Sequence, residues 1–164
     1  MINKTIIIAA GVVLAGIAWY AFRPERAFID ATVNESLASV STNEAASPAA
    51  PVTLASGMFH SNAHETSGTA TILSLPDGRR ILRLTSFSTS NGPDVRVYLV
   101  AASDVPDDET VKKAGFVELG PMKGNKGDQN YDVPADLNLG QYRTVTIWCK
   151  RFSVNFGSAP LAAS

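Results

Sequence analysis

A single cysteine, Cys149, and two histidines, His60 and His64, are all that this chain of 164 residues offers of those two residue types. One cysteine excludes an intrachain disulfide and a thiolate-cluster metal site of the zinc-ribbon kind. Neither histidine sits in a recognisable catalytic motif, so neither a Ser-His-Asp mechanism nor a paired-carboxylate mechanism can be assigned, and no constellation points to an enzyme. There is no basic surplus either. Fourteen Lys+Arg stand against 15 Asp+Glu, a formal net charge of -1, and without excess positive charge there is no footprint for nucleic acid. Charged residues make up 18% and hydrophobic residues 45%, which excludes a disordered chain and a coiled coil. The length suits one domain with an appendage and excludes a large multidomain enzyme.

Charge is also missing between Lys4 and Arg23, where Thr5 to Phe22 read TIIIAAGVVLAGIAWYAF. At about 1.5 Å per residue this run is just long enough to cross a hydrocarbon core of roughly 30 Å. Trp19 and Tyr20 stand near its end, at the headgroup level that amphipathic rings prefer. A cleaved signal peptide needs small residues where Trp19, Tyr20 and Phe22 crowd, and a lipoprotein needs a cysteine that is not there. A buried core helix would need a partner bundle, which the rest of the chain does not offer. The segment 1–23 is therefore expected to be an uncleaved transmembrane signal-anchor. Positive charges flank it on both sides, but an anchor at the N-terminus sends the downstream chain outward. The expected protein is single-pass, with its domain periplasmic or extracellular.

Residues 24–53 are expected to be a flexible linker, because Ala, Ser, Thr and Pro dominate 31–53 and Pro48 and Pro51 preclude a continuous helix at its end. Glu25 to Leu37 has the length for a short juxtamembrane helix. The domain is assigned to 54–164, where acids and bases are equal in number, as a solvated mixed-sign surface should be.

Within the domain, short alternating runs are separated by turns. Residues 66–75 return through Pro76-Asp77-Gly78 into Ile81 to Phe87, with Leu82 and Leu84 on one face and Arg83 and Thr85 on a wetter one. Asn91 to Asp94 turn again into a strand, 94–101, whose Val95, Val97 and Leu99 share a face. Further strands are expected at 116–120, as an edge piece at 130–133, and across 144–156 as one long strand or two short ones. In the last, Val145, Ile147 and Cys149 have one parity and Phe152, Val154 and Phe156 the other, which predicts a bulge or bend near Lys150-Arg151. Residues 107–114 allow a turn or two of helix. The fold class is all-β, an antiparallel β-sandwich of about seven or eight strands, without internal repeats.

Candidate chemistry is sparse. Cys149 is either a small buried hydrophobe or a reactive thiol, the latter needing exposure and a basic neighbour, for which Arg151 has the right parity. Met58, His60 and His64 could offer ligands to copper or haem iron, or simply be solvated loop residues. Neither cofactor is required by the sequence. Asp104, Asp107, Asp108 and Glu109 lack the spacing and glycine of a Ca²⁺ loop. Lys123 to Asp128, KGNKGD, could cradle an anion but lacks the spacing of a phosphate loop.

Several stretches together resemble the DM13 domain family. They are Gly57-Met58-Phe59, Gly68-Thr69-Ala70, Leu84 through Phe87, Gly92-Pro93-Asp94-Val95 and Val97-Tyr98-Leu99. Further along come Leu119-Gly120, Lys123-Gly124, Gly127 through Tyr131 and Val133-Pro134. The set ends with Val145-Thr146-Ile147-Trp148-Cys149, Phe152, Phe156-Gly157 and Ala159-Pro160-Leu161. The resemblance implies an all-β module often found beside haem-binding DOMON domains and cytochrome b561-type segments. It also implies a redox or electron-transfer role centred on Cys149, with Trp148, Tyr131 and Asp94 as neighbouring candidates. With no cytochrome segment in this sequence, a redox partner protein or bound cofactor would be required. The other reading is a non-catalytic binding or adhesion module presenting loops to a partner.

Overall fold

A computed structural model describes residues 4–22, 29–37 and 50–164. Helix α1 (Lys4–Phe22) covers the uncharged run. The next elements are β1 (Thr32–Asn34), β2 (Val52–Met58), β3 (His60–Ser61), β4 (Ser67–Ser74), β5 (Arg80–Ser88) and β6 (Val95–Val100). Helix α2 (Asp108–Lys113) then precedes β7 (Phe116–Pro121), β8 (Lys126–Val133), β9 (Thr144–Cys149), β10 (Val154–Pro160) and β11 (Ala162–Ala163). Among the described residues no helix is long and apolar enough to cross a membrane.

The strands form a six-stranded sheet, β1-β8-β5-β4-β2-β11, and a five-stranded sheet, β3-β10-β9-β6-β7. Period-2 alternation turns one face of each sheet inward. Ala70, Ile72, Leu82 and Leu84 from the first sheet join Val97, Leu99, Val145 and Ile147 from the second in one buried cluster. Three strands, β1, β3 and β11, have only two or three residues; the others correspond to the seven or eight expected.

The turns follow their residue chemistry. Gly78 takes φ 84°, and Leu75 N–H reaches Arg79 O at 2.8 Å to close the β4–β5 hairpin. In α2, the Asp107 carboxylate caps the N-terminus by accepting from Thr110 N–H.

One open alternative is decided and three expectations need correction. Of the two readings of 144–156 the structure shows two strands: the bend expected near Lys150-Arg151 is a full turn, Lys150 to Ser153, that reverses the chain, so β9 and β10 pair antiparallel from Cys149 opposite Val154. The reversal resolves the parity conflict: Phe156 enters the core, while Phe152 stays exposed on the turn. Next, 130–133 is the end of an eight-residue strand rather than a short edge piece, because Lys126 to Gln129 also pair with β5. The face of β5 expected to be wet holds a small apolar cluster, Ile81 with Leu73 and Leu75, against which Leu37 packs.

Finally, residues 32–34, expected to be linker or juxtamembrane helix, form a strand. Its pairing with β8 is parallel, Val33 opposite Gly127, a departure from the all-antiparallel expectation. β-Branched Thr32 and Val33 suit a strand, and the open edge of β8 supplies the partners that an isolated segment lacks. Residues 38–49 of the expected linker lie outside the described residues.

Candidate functional site

Every residue of β9 is buried, because the strand runs between β6 and β10 and both its faces are covered. Val145, Ile147 and Cys149 point into the shared core. Cys149 lies opposite Val95 on one side and Val154 on the other and is 1% exposed. The thiol is thus a core group. Arg151, given the same parity in the sequence, sits on the exposed turn, because the strand ends before alternation reaches it. An enclosed thiol of this kind cannot meet a disulfide or an alkylating reagent in the resting fold.

Trp148 points to the opposite face of β9. There it joins Tyr98, Val100, Val105 and Val111 in a second cluster, roofed by α2 and the loop before it. The Tyr98 ring lies 6.4 Å from Trp148. On its other side Tyr98 stacks on Phe116 at 4.5 Å with the planes 3° apart. Phe116 is 46% exposed, so a line of three rings runs from the strand carrying Cys149 to the surface. Such diagonal cross-strand contacts are within reach of aromatic side chains.

Beside this line lies a charge network. Arg96 donates to Asp94 at 2.5 Å and to Glu118 at 2.9 Å, and Lys150 reaches the other Glu118 oxygen at 3.1 Å. Tyr98 hydroxyl donates to that same Glu118 oxygen at 3.4 Å. Burial, and then the Glu118 charge, push the Tyr98 phenol up to about 12. Asp94 also accepts Lys150 N–H with its backbone carbonyl at 2.8 Å. Of the candidate neighbours, Trp148 and Asp94 therefore flank the strand end that carries Cys149.

Tyr131 belongs to the other sheet. It shares the core cluster with Cys149, but its hydroxyl is committed to Gln129 Oε1 at 2.7 Å and to Lys123 N–H at 3.2 Å. Lys123 Nζ stands 5.2 Å above its ring. Burial pushes the Tyr131 phenol up to about 12.

Met58, His60 and His64 take separate surroundings. Met58 is exposed at the end of β2. His60 lies on β3 in the other sheet, with Nε2 2.8 Å from Asp104. The His64 ring packs on Phe156 at 3.9 Å between centroids. The set therefore does not assemble as a ligand group for copper or haem iron. Among the described residues no cluster of three His, Cys, Asp or Glu side chains could hold a metal. The acidic loop is spent on structure: Asp104 accepts from Val105 N–H, Asp107 caps α2, and Asp108 accepts from Asn155 N–H at 2.6 Å.

Sequence reasoning did not single out Arg83, Asn125 or Gln129. Gln129 is wholly buried and binds the loop before it, accepting from Lys123 and Gly124 N–H and donating to Gly124 carbonyl. The sequence signals were the KGNKGD pattern, which contains Asn125, and the stretch Gly127 through Tyr131, which contains Gln129. The lysines of KGNKGD do hold anions, but those anions are carboxylates of this chain, Glu35 on Lys123 and Asp30 on Lys126.

The sequence model of the electron transfer DM13 family matches residues 58–161, more than half of the chain. No curated protein and no solved structure matches it.

Proposed function

Since this chain belongs to the electron transfer DM13 family, we propose that it is an electron-transfer module, anchored by α1 in a membrane with its domain outside the cytoplasm, and that Cys149, Trp148 and Tyr98 are its redox-active groups. The observation that carries this reading is the ring line Trp148–Tyr98–Phe116, which begins at the residue preceding Cys149 and ends at the surface. Electronic coupling falls steeply with distance, so rings in contact favour one-electron passage. Burial of Cys149 turns the reading away from thiol–disulfide exchange, which needs an accessible thiolate.

Tyr98 loses a proton when it loses an electron. Glu118 already accepts its hydroxyl and is placed to take that proton, while the electron passes to a one-electron acceptor protein docked over Phe116; an electron from a one-electron donor protein, with the proton returned by Glu118, restores the phenol. The anchor is supported by the sequence, in the uncharged run Thr5 to Phe22; the described residues of α1 by themselves fall short of a crossing.

Voltammetry of the full chain in detergent tests the proposal. A reversible one-electron wave that is lost in Tyr98→Phe and displaced in Cys149→Ala supports it, with circular dichroism showing that both variants fold. Absence of a wave, or a wave unchanged in both variants, overturns it. The burial of Cys149 favours a second reading, a non-catalytic binding module. Under it no wave appears, and the Cys149→Ala chain keeps any partner that the wild type retains.

A further inference from the structure

We propose that Lys123 to Asp128, with the adjoining edge of β8, form a recognition site for an extended peptide strand bearing carboxylates at the spacing of Asp30 and Glu35, and that residues 29–37 are its exchangeable occupant. The site reads both backbone and side chains. Lys126 N–H donates to Ala31 carbonyl, and Glu35 N–H to Asp128 carbonyl at 2.9 Å. Asn125 holds backbone and side chain together, accepting Ala31 N–H with Oδ1 at 2.7 Å and donating to the Asp30 carboxylate through Nδ2 at 2.7 Å.

The two carboxylates take the two lysines. Asp30 pairs with Lys126. Both Glu35 oxygens accept from Lys123 Nζ, at 2.8 and 2.9 Å, and one accepts Asn130 N–H as well. Arg83, itself fixed by Asp128 at 2.6 Å, donates to the Glu35 carbonyl at 3.0 Å.

Two glycines shape the edge to admit a backbone. A Cβ at position 124 would stand 2.4 Å from Ala31 O, and one at 127 would stand 2.1 Å from Val33 O. No side chain larger than hydrogen fits at either place.

The occupant itself looks like a ligand. Apart from Leu37, which packs against Leu73, Leu75 and Ile81, and half-buried Val33, whose methyl lies over Gly124, its attachment is polar and edge-on, the pattern of strand addition. The site lies within the family-matched region 58–161 and the occupant outside it. The same strand chemistry is available from a second copy of the chain.

The test uses the full chain in detergent, with a protease recognition site inserted between Asn43 and Glu44. After cutting, the N-terminal fragment is expected to stay bound, and a labelled synthetic peptide of residues 29–37 to displace it saturably. The same peptide carrying Asp30→Asn and Glu35→Gln should bind at least about 10-fold more weakly, since it loses two charge-assisted contacts. In the uncut chain, a concentration-dependent dimer abolished by Gly127→Val assigns the strand to a second copy; a monomer at all concentrations assigns it to the same chain. A fragment that leaves on cutting from a domain that stays folded yet binds no peptide overturns the proposal. So does a fragment that no peptide concentration displaces short of unfolding.

Discussion

Tyr98 and Glu118 face each other across β6 and β7, and the phenol donates to a carboxylate that Arg96 and Lys150 also hold. The Glu118 charge opposes a phenolate beside it. Glu118→Gln should therefore lower the Tyr98 ionisation from about 12 toward the ordinary value of 10, read as phenolate absorbance in an alkaline titration. An unchanged midpoint would mean that burial alone sets it.

Tyr98 and Tyr131 both ionise higher in the fold than in the unfolded chain. For such groups the stabilising contribution is complete below the unfolded value of 10 and is lost as pH rises through about 12. For Tyr131 that loss is on the order of 2–3 kcal/mol. Urea midpoints should fall between pH 10 and 12, and by less in a Tyr131→Phe chain. Equal slopes in both chains would refute this.

Cys149 should be alkylated only as fast as the domain opens. Its replacement by Ser puts a hydroxyl among apolar side chains and should lower stability by about 1–3 kcal/mol. Native labelling as fast as that of an unfolded control would contradict the burial. Unfolding curves of the Ser variant measure the cost.

Gln129→Leu keeps the volume but leaves Lys123 and Gly124 N–H, Gly124 carbonyl and the Tyr131 hydroxyl short of a partner. A loss of at least about 2 kcal/mol is expected, together with faster hydrogen exchange at Lys123 and Gly124. Exchange rates that stay at the wild-type value would show that the loop holds without it.

Acid should loosen the 29–37 segment before the domain. Lys126 and Asn125 hold the Asp30 carboxyl below its ordinary range. For Glu35, burial pulls upward, but Lys123 and the Asn130 N–H outweigh it and hold the group low. Groups depressed in the fold contribute stability above their unfolded values and lose it as pH falls through the folded ones. Amides of Ala31 and Glu35 should lose hydrogen-exchange protection below about pH 4, while those of β9 keep theirs. Simultaneous loss would contradict a separately attached strand.

Much of the two-sheet architecture was legible because it rests on local signals. Pro76-Asp77-Gly78 and Asn91 to Asp94 mark reversals by themselves, and the alternation of Val95, Val97 and Leu99 names its own face. The position of Cys149 was legible in the same way, from its parity with Val145 and Ile147. The β9–β10 reversal was not, because Lys150-Arg151-Phe152-Ser153 contains no glycine or proline, and Ser153 takes the left-handed φ of 55° that a glycine would have announced. The ring line was hidden because Tyr98, Phe116 and Trp148 meet only through strand register. The pairing of 29–37 with β8 joins residues some ninety positions apart, and no local pattern encodes that.

The strand at 32–34 also changes how far the domain can wander. If residues 24–53 were all slack, the domain could explore a wide volume around its anchor. With Ile29 already bound to Asn91, only Arg23 to Phe28 separate the end of α1 from the docked segment. Fully extended, those six residues reach at most about 21 Å. With α1 as the proposed anchor, the docked strand would keep the domain within that reach of the bilayer, where a proposed electron partner would have to meet it.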